Sequence, residues 1–347
     1  MPRYSPGVLV AYGRELLMRA GMRDDIASDV ASVLVDGDLM GHTTHGLAQL
    51  PGYLNELAQR AMAAAGEPEV TSARAAIQVW DGRRLPGPWL TLRALDAAIS
   101  MASQCGSGTV VIRRSHHIAA LVAYAKRATD RRMMAIIQCS DPSTHSVAPF
   151  GAITSVFTPN PLAAGIPTSG DPILLDVSAS YTTNGMTARL HKAGELLPHP
   201  WIQDAQGHPT RDPAVLFSEP RGTLLPLGGL DAGHKGFALA LLVEALTAGL
   251  AGHGRADPAE GWGATVFVQA LDPAAFGGLD AFTRQTDWLV RACHEATPRP
   301  GDLPVRLPGE RALALHRKQS AEGVLLYASI LPALAPWAEK LGVAPLG

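Results

Sequence analysis

"GTVVIRRSHHIAALVAYAKRATDRRMMAIIQCS", residues 108–140, contains two strand-like runs with a helix-like run between them. GTVVIRRS and RMMAIIQCS are short, apolar and bounded by Gly, Asp or Ser, as strands usually are. The run IAALVAYAKRATDRR between them has the periodicity of an amphipathic helix. Strands that alternate with helices indicate an α/β protein, and we predict that class.

The same alternation continues on both sides of this stretch. Further strand-like runs are AAIQVWDG, ITSVFTPN and ATVFVQALD, and further helix-like runs are WLTLRALDAAISMASQCG and FTRQTDWLVRACHEA. We predict a helical N-terminal region over 1–75, an α/β domain over 76–300, and C-terminal helices over 301–347 that return to the first region. Within the first region, an aspartate is expected to cap the helix DDIASDVASVLVDGDLMG.

The longest apolar run is GFALALLVEALTAGLAG, from Gly236 to Gly252. It is shorter than the roughly 20 residues that a membrane span needs, and it contains Glu244. We predict a buried core helix. The first helix carries Arg14 and Glu15 inside its apolar pattern, which favours an amphipathic helix over a signal peptide.

The bulk composition favours a globular protein that acts on small molecules. Hydrophobic residues make up 47% of the chain, and 29 Lys and Arg stand against 31 Asp and Glu. A net charge of −2 argues against nucleic acid or an anionic membrane surface as a partner. Cys105, Cys139 and Cys293 form no C-x-x-C pair, which is typical of a reducing compartment, so we expect a cytoplasmic protein.

Three common catalytic motifs are missing. No G-x-G-x-x-G follows a predicted strand, and neither G-x-x-x-x-G-K-[ST] nor G-x-S-x-G occurs. These absences argue against a Rossmann fingerprint, a P-loop and an α/β-hydrolase nucleophile elbow. Candidate chemistry therefore rests on polar residues at the ends of predicted segments.

The first candidate is the histidine pair in GHTTHGLAQLPGYL. If this segment were helical, His42 and His45 would lie on one face, where imidazoles can bind a metal. Zinc needs a third ligand, and no H-E-x-x-H is present. A polar turn or a substrate-facing loop is the preferred interpretation, and we predict no metal site.

The second candidate is the adjacent pair in RRSHHIAA. A helix that starts near Ile118 would place His116 and His117 at its N-terminus, where the helix dipole lowers the pKa of a histidine. A histidine there can act as an acid or base near neutral pH. Helix capping or solvent exposure explains the pair equally well on spacing alone.

Three further segments end in polar side chains. Asp141 follows a strand-like run and could orient an imidazole, or it could make an Asx turn before Pro142. Asp176 and Ser178 end the run ILLDVS. Lys235 stands at the head of the long apolar helix, where backbone amides and one lysine suit a phosphate, unless the lysine simply lies in solvent.

Together these motifs resemble the type-2 malate/L-lactate dehydrogenase family, which has the L-sulfolactate dehydrogenase-like fold. The matches occur in the family's order over nearly the whole chain: GHTTHGLAQLPGYL, RRSHHIAA, CSDPSTHSVAPFG, TPNPLAAGIPT, LLDVSAS, HPTRDPAVLF, LLPLGGLDAGHKGFALALLVEALTAGLAG, LDPAAFGGLDAF and RLPGER. The resemblance implies a mixed sheet, NAD or NADP bound on a non-Rossmann domain, and a homodimer with its active site in a cleft between domains. Members include ureidoglycolate dehydrogenase, diketogulonate reductase and the Δ1-piperideine/Δ1-pyrroline-2-carboxylate reductases.

The resemblance also assigns roles to individual residues. His117 takes the place of the family's active-site histidine and would be the proton donor, with Asp141 orienting it and His116 only a variable neighbour. His45 would hold the substrate oxygen or carboxylate. The implied substrate contacts are Thr44, Gln49 and Tyr53, and the implied cofactor contacts are Ser115, Ser140, Asn160, Asp176, Val177, Ser178 and Lys235.

Some positions depart from the family pattern. Gln49 stands where the family usually has arginine, and a neutral amide does not replace a bidentate contact between guanidinium and carboxylate. Either another cation supplies that charge or the substrate differs. Thr44 replaces a serine, Ala119 replaces a glycine, and Thr158-Pro159 replaces a Gly-Thr pair, so nucleotide contacts there are expected to differ.

We therefore predict an NAD(P)H-dependent oxidoreductase that transfers hydride between nicotinamide and a 2-keto acid, a 2-hydroxy acid or a cyclic 2-imino acid. Two rivals stay open. One is a non-catalytic ligand-binding relative, which the Gln49 departure favours. The other is a metal-dependent lyase that uses His42 and His45.

Overall fold

A seven-stranded mixed sheet forms the centre of the computed structural model, which describes residues 2–301 and 303–346. The strands, numbered along the chain, are β1 (Glu69–Arg74), β2 (Ile77–Asp81), β3 (Ser107–Ser115), β4 (Met134–Ser140), β5 (Pro161–Ile166), β6 (Ile173–Ser178), β7 (Ile202–Gln203), β8 (Pro209–Thr210), β9 (Thr223–Leu224) and β10 (Ala264–Leu271). The helices are α1 (Pro6–Arg19), α2 (Asp24–Leu39), α3 (Leu50–Ala58), α4 (Gly87–Cys105), α5 (Val122–Thr129), α6 (Asn184–Ala193), α7 (Gly229–Ala232), α8 (His234–Glu244), α9 (Leu279–Glu295), α10 (Glu310–Glu322) and α11 (Ile330–Leu341).

The strand order of the central sheet is β1-β2-β3-β10-β4-β5-β6, and β7 to β9 form a separate small sheet. β2 and β3 are parallel, whereas the other neighbours in the central sheet are antiparallel. β10 lies between β3 and β4, with Val268 opposite both Val110 and Ile137. β3 and β4 therefore run in the same direction, and α5 connects them. This arrangement confirms the predicted α/β class and mixed sheet.

One face of the central sheet is covered by α4 and α5. α4 packs on β3 and β10, and α5 packs on β4, β5 and β6. Two strand glycines allow this close approach. A side chain at Gly108 would overlap the Ala98 carbonyl of α4, and one at Gly165 would press on the Ala125 carbonyl of α5. Larger residues at these two positions would push the helices away from the sheet.

The N-terminal and C-terminal helices pack together beside this layer. α2 contacts α1, α4 and α10, and α11 contacts α1 and α3. Tyr4 and Val324 exchange backbone hydrogen bonds of 3.1 and 2.8 Å. One cluster of buried side chains continues from these helices into the sheet. The division of the chain at residues 75 and 300 stays a prediction.

The opposite face of the sheet is covered by α8 and by the π-helical turn Ala245–Gly249 that continues it. The predicted buried core helix is wrong for much of this segment. Ala240 is buried, but Leu241, Leu242 and Leu250 are 49, 47 and 54% exposed. A helix that is apolar on all sides carries no pattern to indicate which side will be covered, so periodicity could not reveal this open face.

Two local predictions also need correction. The helix predicted near Ile118 begins at Val122, and the residues between them are irregular. The run ITSVFTPN forms no strand, since a single bridge joins Phe157 to Val147. Among the described residues, no helix has both the length and the apolar character needed to cross a bilayer.

The expected aspartate cap of α2 is a third correction. The N-cap position is Arg23, which makes no side-chain cap, and Asp24 and Asp25 lie inside the first turn. Carboxylates in a first helical turn stabilise the helix through its dipole, so these aspartates still favour a helix start here.

Candidate active site

A cavity of about 490 Å³ opens at the end of the sheet where β3, β4 and β6 finish and β5 and β10 begin. The loop 41–49, the segment 117–121 and the first turn of α6 complete its lining. We name two of its sides. The histidine wall consists of His45, His117 and Trp262, and the carboxylate wall consists of Ser140, Asp141 and Asp176.

His117 lies in the irregular segment between β3 and α5. Its Nδ1 is 2.9 Å from the Tyr53 hydroxyl and 3.4 Å from the Ala119 nitrogen. The same hydroxyl lies 3.1 Å from the His117 carbonyl oxygen. Burial lowers the pKa of His117 well below its usual value, and the charges of neighbouring histidines lower it further. The cause is therefore burial, not the helix dipole expected from the sequence.

The loop 41–49 brings His45 and Thr44 to the same wall. The His45 and His117 rings are stacked with centroids 5.8 Å apart, and Thr44 Oγ1 lies 2.9 Å from His45 Nδ1. Burial lowers the pKa of His45 to about 4. Gln49 also lines the cavity, but its side-chain amide donates to the Thr44 carbonyl at 2.6 Å. Gln49 therefore braces the loop.

Asp38 of α2 packs against the loop 41–49, and the sequence did not indicate it. Its Oδ2 accepts the Leu47 N–H at 2.7 Å, and its carboxyl group fills the space that a side chain at Gly46 would need. Burial raises the pKa of Asp38 to about 7. An acidic residue on the apolar face of a helix, next to the histidine-rich turn, was the available signal.

Trp262 completes the histidine wall and was also missed. Its ring centroid is 4.9 Å from that of His117, with 32° between the planes, and 5.7 Å from that of Tyr53. It lies two residues before the start of β10, between Gly261 and Gly263. The tilted ring packs beside the imidazole and adds apolar surface to its surroundings.

On the carboxylate wall, Asp141 makes an Asx-type turn. Its two carboxylate oxygens accept the Ser143 N–H at 2.9 Å and the Thr144 hydroxyl at 2.8 Å. No hydrogen bond joins Asp141 to His117 in the part of the chain that the structure describes. The groups in contact with His117 Nδ1 are the Tyr53 hydroxyl and the Ala119 N–H, so the orienting role implied for Asp141 finds no contact here.

Ser140 belongs to a polar network that the sequence did not indicate. Its hydroxyl donates to Glu244 at 2.7 Å and accepts from Arg255 at 3.0 Å. Arg255 and Glu244 form an ion pair of 2.8 Å. Asn160 donates to the same carboxylate at 3.0 Å. Ser140 and Asn160, both predicted cofactor contacts, thus join α8 to the end of the sheet.

Other predicted residues divide between the cavity and its surroundings. Asp176 and Ser178 line the cavity. Ser115 is buried and donates to the His116 carbonyl at 2.8 Å, Val177 is 46% exposed, and Lys235 is exposed at the start of α8. Tyr53, predicted beside the substrate, is fully buried behind His117.

His116 differs sharply from its neighbour. It is fully buried, its Nε2 lies 3.2 Å from Glu56, and burial together with Arg84 lowers its pKa to about 3. Its ring packs edge-on against Trp262 at 4.9 Å. His116 therefore belongs to the support behind the cavity.

His42 and His45 do not form one face of a helix. They lie in a turn in which the His45 N–H donates to the His42 carbonyl at 2.8 Å. Within residues 2–301 and 303–346, no three His, Cys, Asp or Glu side chains converge as a metal site requires. His42 instead faces Asp176, with 3.9 Å between Nδ1 and Oδ2.

Comparison with known proteins identifies the family of this chain. Residues 5–335 match the family model described as malate/L-lactate dehydrogenase. The chain belongs to the malate/L-lactate dehydrogenase family. It is 32% identical over 339 residues to the L-lactate dehydrogenase of Cupriavidus necator, with 95% of each chain covered. It is 33% identical over 302 residues to the (2R)-3-sulfolactate dehydrogenase (NADP(+)) of Chromohalobacter salexigens, with 84% of this chain and 85% of the other covered.

A solved structure extends the comparison to the fold of this dehydrogenase. The Δ1-piperideine-2-carboxylate reductase of Pseudomonas syringae superposes with a TM-score of 0.85 at 28% identity, covering 97% of this chain and 100% of the other. The predicted family, its fold and an NAD(P)-dependent dehydrogenase activity are confirmed. The rival interpretation as a non-catalytic relative loses its support.

Proposed function

We propose that His117 gives and takes the proton during hydride transfer between nicotinamide and a 2-hydroxy acid, its 2-oxo acid or a cyclic 2-imino acid. One observation carries the proposal: His117 lines the cavity while Tyr53 engages its Nδ1. Nε2 is then left to face the substrate. As hydride reaches the carbonyl or imine carbon, the oxygen or nitrogen gains negative charge, and a positioned imidazole supplies the proton.

Tyr53 suits both protonation states of His117. In the tautomer with a proton on Nδ1, which gives up the long 3.4 Å hydrogen bond from the Ala119 N–H, the imidazole donates to the Tyr53 oxygen. The Tyr53 proton is then directed to the His117 carbonyl oxygen 3.1 Å away. Nε2 is then the atom that gains or loses a proton. Burial keeps the free imidazole neutral, ready to accept the hydroxyl proton in the oxidative direction. Negative charge on a bound substrate favours the protonated imidazole that the reductive direction needs.

The cavity fits a nicotinamide ring together with a small acid. Its volume of about 490 Å³ lies inside the range of roughly 300 to 1,000 Å³ that small-molecule sites show. Ser140, Asp176 and Ser178 offer polar groups on its lining, and Lys235 stays a candidate for the phosphates of the nucleotide. When bound, NAD or NADP supplies or accepts the hydride.

The test is a substrate panel with both nucleotides. Pyruvate, oxaloacetate, sulfopyruvate, Δ1-piperideine-2-carboxylate and Δ1-pyrroline-2-carboxylate are each offered with NADH and with NADPH, and loss of the reduced nucleotide is followed by absorbance. We expect turnover of at least one compound, and we expect His117→Ala to abolish most of it. A panel in which no compound is reduced would overturn the proposal.

We further infer that the chain forms a homodimer through the open face of α8. Four leucines of this segment, Leu239, Leu241, Leu242 and Leu250, are exposed in the single chain. So many exposed large apolar side chains on one segment favour a protein interface. Leu242→Glu places a charge on the face, so light scattering after gel filtration should show a monomer, whereas Ser169→Glu on the exposed loop after β5 should leave the wild-type mass. A monomeric wild-type chain would overturn this inference.

We also propose a cytoplasmic location and no nucleic-acid partner. Cys105, Cys139 and Cys293 are all free thiols, which suits a reducing compartment. Cell fractionation followed by immunodetection tests the location directly.

A further inference from the structure

The cavity lacks a permanently positive side chain on its lining. No lysine or arginine belongs to it in the described parts of the chain, whereas Asp141 and Asp176 do. The substrates proposed above carry a carboxylate. A carboxylate in a partly enclosed site needs a positive or hydrogen-bonding partner to offset its lost hydration. The histidines of the lining are the remaining source of positive charge.

Two of these histidines are poor candidates for that charge. Burial holds His45 and His117 in the neutral form, as their lowered pKa values show. Gln49 donates its amide to the loop backbone and carries no charge.

Arg189 of α6 contacts the loop 41–49, but its guanidinium already makes hydrogen bonds within the protein. Its two terminal nitrogens donate to the Thr43 hydroxyl at 2.8 Å and to the Thr43 carbonyl at 2.7 Å. Its guanidinium carbon lies 4.0 Å from the centre of the Tyr327 ring. Arg189 therefore lies behind Thr43 and not on the cavity surface.

His42 has the surroundings that the other two histidines lack. Its side chain lines the cavity at 32% exposure, and its Nδ1 lies 3.9 Å from the buried carboxylate of Asp176. An imidazole with a proton on each nitrogen would reach Asp176 through Nδ1 and a ligand carboxylate through Nε2. Asp176 also accepts the Val122 N–H at the start of α5, at 3.0 Å. The positive end of that helix offsets part of the negative charge that Asp176 would turn towards a substrate carboxylate.

We propose that His42, held by Asp176, binds the carboxylate of the substrate and so selects anionic over uncharged 2-oxo compounds. This proposal rests on the function proposed above. The charged and titratable groups around His42 are Asp176 from β6, His45 from its own loop and Arg189 from α6, and of these Asp176 alone is within ion-pair distance of it among the described residues. Its Nε2 has no hydrogen-bond partner in the described structure and is available to the substrate.

The test compares two substrates that differ in charge. The probes are the most active 2-oxo acid of the panel and its primary amide, of which pyruvate and pyruvamide are the simplest pair. His42→Asn should raise KM for the acid by about 10- to 100-fold, because a charge-assisted hydrogen bond is lost. KM for the amide and kcat for the acid should each stay within about threefold of wild type, and the thermal melting curve should confirm the fold.

A second variant tests the charge itself. In the double variant His42→Asn with Gln49→Arg, a guanidinium on the cavity lining should restore a low KM for the acid while leaving the amide unaffected. The His42 proposal is overturned if His42→Asn leaves KM for the acid unchanged, if it raises KM for acid and amide equally, or if Arg189→Gln alone produces the selective loss. A wild-type protein that reduces no panel compound would instead contradict the proposed function.

Discussion

The two walls of the cavity use polar side chains in opposite ways. On the carboxylate wall, Ser140 and Asp141 are bonded to neighbouring protein groups. On the histidine wall, His117 lines the cavity and is bonded through Nδ1, while its Nε2 has no hydrogen-bond partner among the described residues. Groups that are already satisfied hold the shape of a site, while a group with one free nitrogen can act on a ligand. Within one cavity, Ser140 and Asp141 therefore hold the structure of the site, whereas His117 can react with a ligand.

The largest expected effect comes from removing the free nitrogen of the histidine wall. His117→Ala should lower kcat by about 10²- to 10⁴-fold, the usual contribution of a positioned acid or base. The binding of NADH or NADPH, measured by fluorescence titration, should stay within about threefold of wild type, because Tyr53 and Trp262 keep the wall in place. Turnover close to the wild-type rate would remove His117 from the mechanism.

A second prediction concerns the carboxyl group below the histidine wall. Because burial raises the pKa of Asp38 to about 7, the folded protein holds this proton more tightly than the unfolded chain, whose pKa is near 3.8. Folding is therefore penalised increasingly as pH rises from about 4 to about 7, and the penalty is complete above that range. Asp38→Asn escapes the penalty and keeps an oxygen for the Leu47 N–H.

The Asp38 prediction is checked by urea unfolding at two pH values. Between about pH 4.5 and about pH 8, the free energy of unfolding of Asp38→Asn should rise relative to wild type by roughly 3 kcal/mol. A difference between the two proteins that does not change with pH would mean that Asp38 is ionised in the folded state.

Removing the hydroxyl behind His117 should have a smaller effect on turnover. Tyr53→Phe keeps the buried ring but leaves Nδ1 only the long 3.4 Å hydrogen bond from the Ala119 N–H, so kcat should fall by about tenfold through loss of orientation. Tyr124→Phe is a matched control, since it loses a buried hydrogen bond of 2.6 Å to the Ile118 carbonyl. Both variants should lose about 1 kcal/mol of stability, and similar kcat losses in both would contradict a specific role for Tyr53.

The smallest effect is expected on the carboxylate wall. Asp141→Asn should change kcat by less than about threefold and stability by about 1 kcal/mol, because an amide oxygen still accepts one of the two loop hydrogen bonds. Steady-state kinetics and thermal unfolding measure the two quantities. A loss of turnover as large as that of His117→Ala would show that Asp141 orients the imidazole, as the family resemblance implies.

Sequence reasoning succeeded where the signal lies among neighbouring residues. The strand and helix patterns of residues 108–140 predicted β3 and β4, and motif order predicted the family. The family resemblance implied site roles for Thr44, His45 and His117, and the structure places all three on one cavity. Sequence reasoning failed for residues that reach the site from elsewhere in the chain, such as Trp262, Asp38 and the pair of Arg255 with Glu244. None of these has a spacing motif, since each is brought in by a separate element.

The sequence by itself determined the fold class and the family, because periodicity and motif order are properties of the chain read in one dimension. The resemblance to that family then supplied His117 as the proposed proton donor. The tertiary structure decided which group touches that histidine, why its pKa falls and which side of α8 stays open. Tyr53 and His117 are 64 positions apart and Ser140 and Glu244 are 104 apart. Contacts over such separations arise when the helices and strands pack, and burial, the cause of the lowered pKa, exists only after that packing.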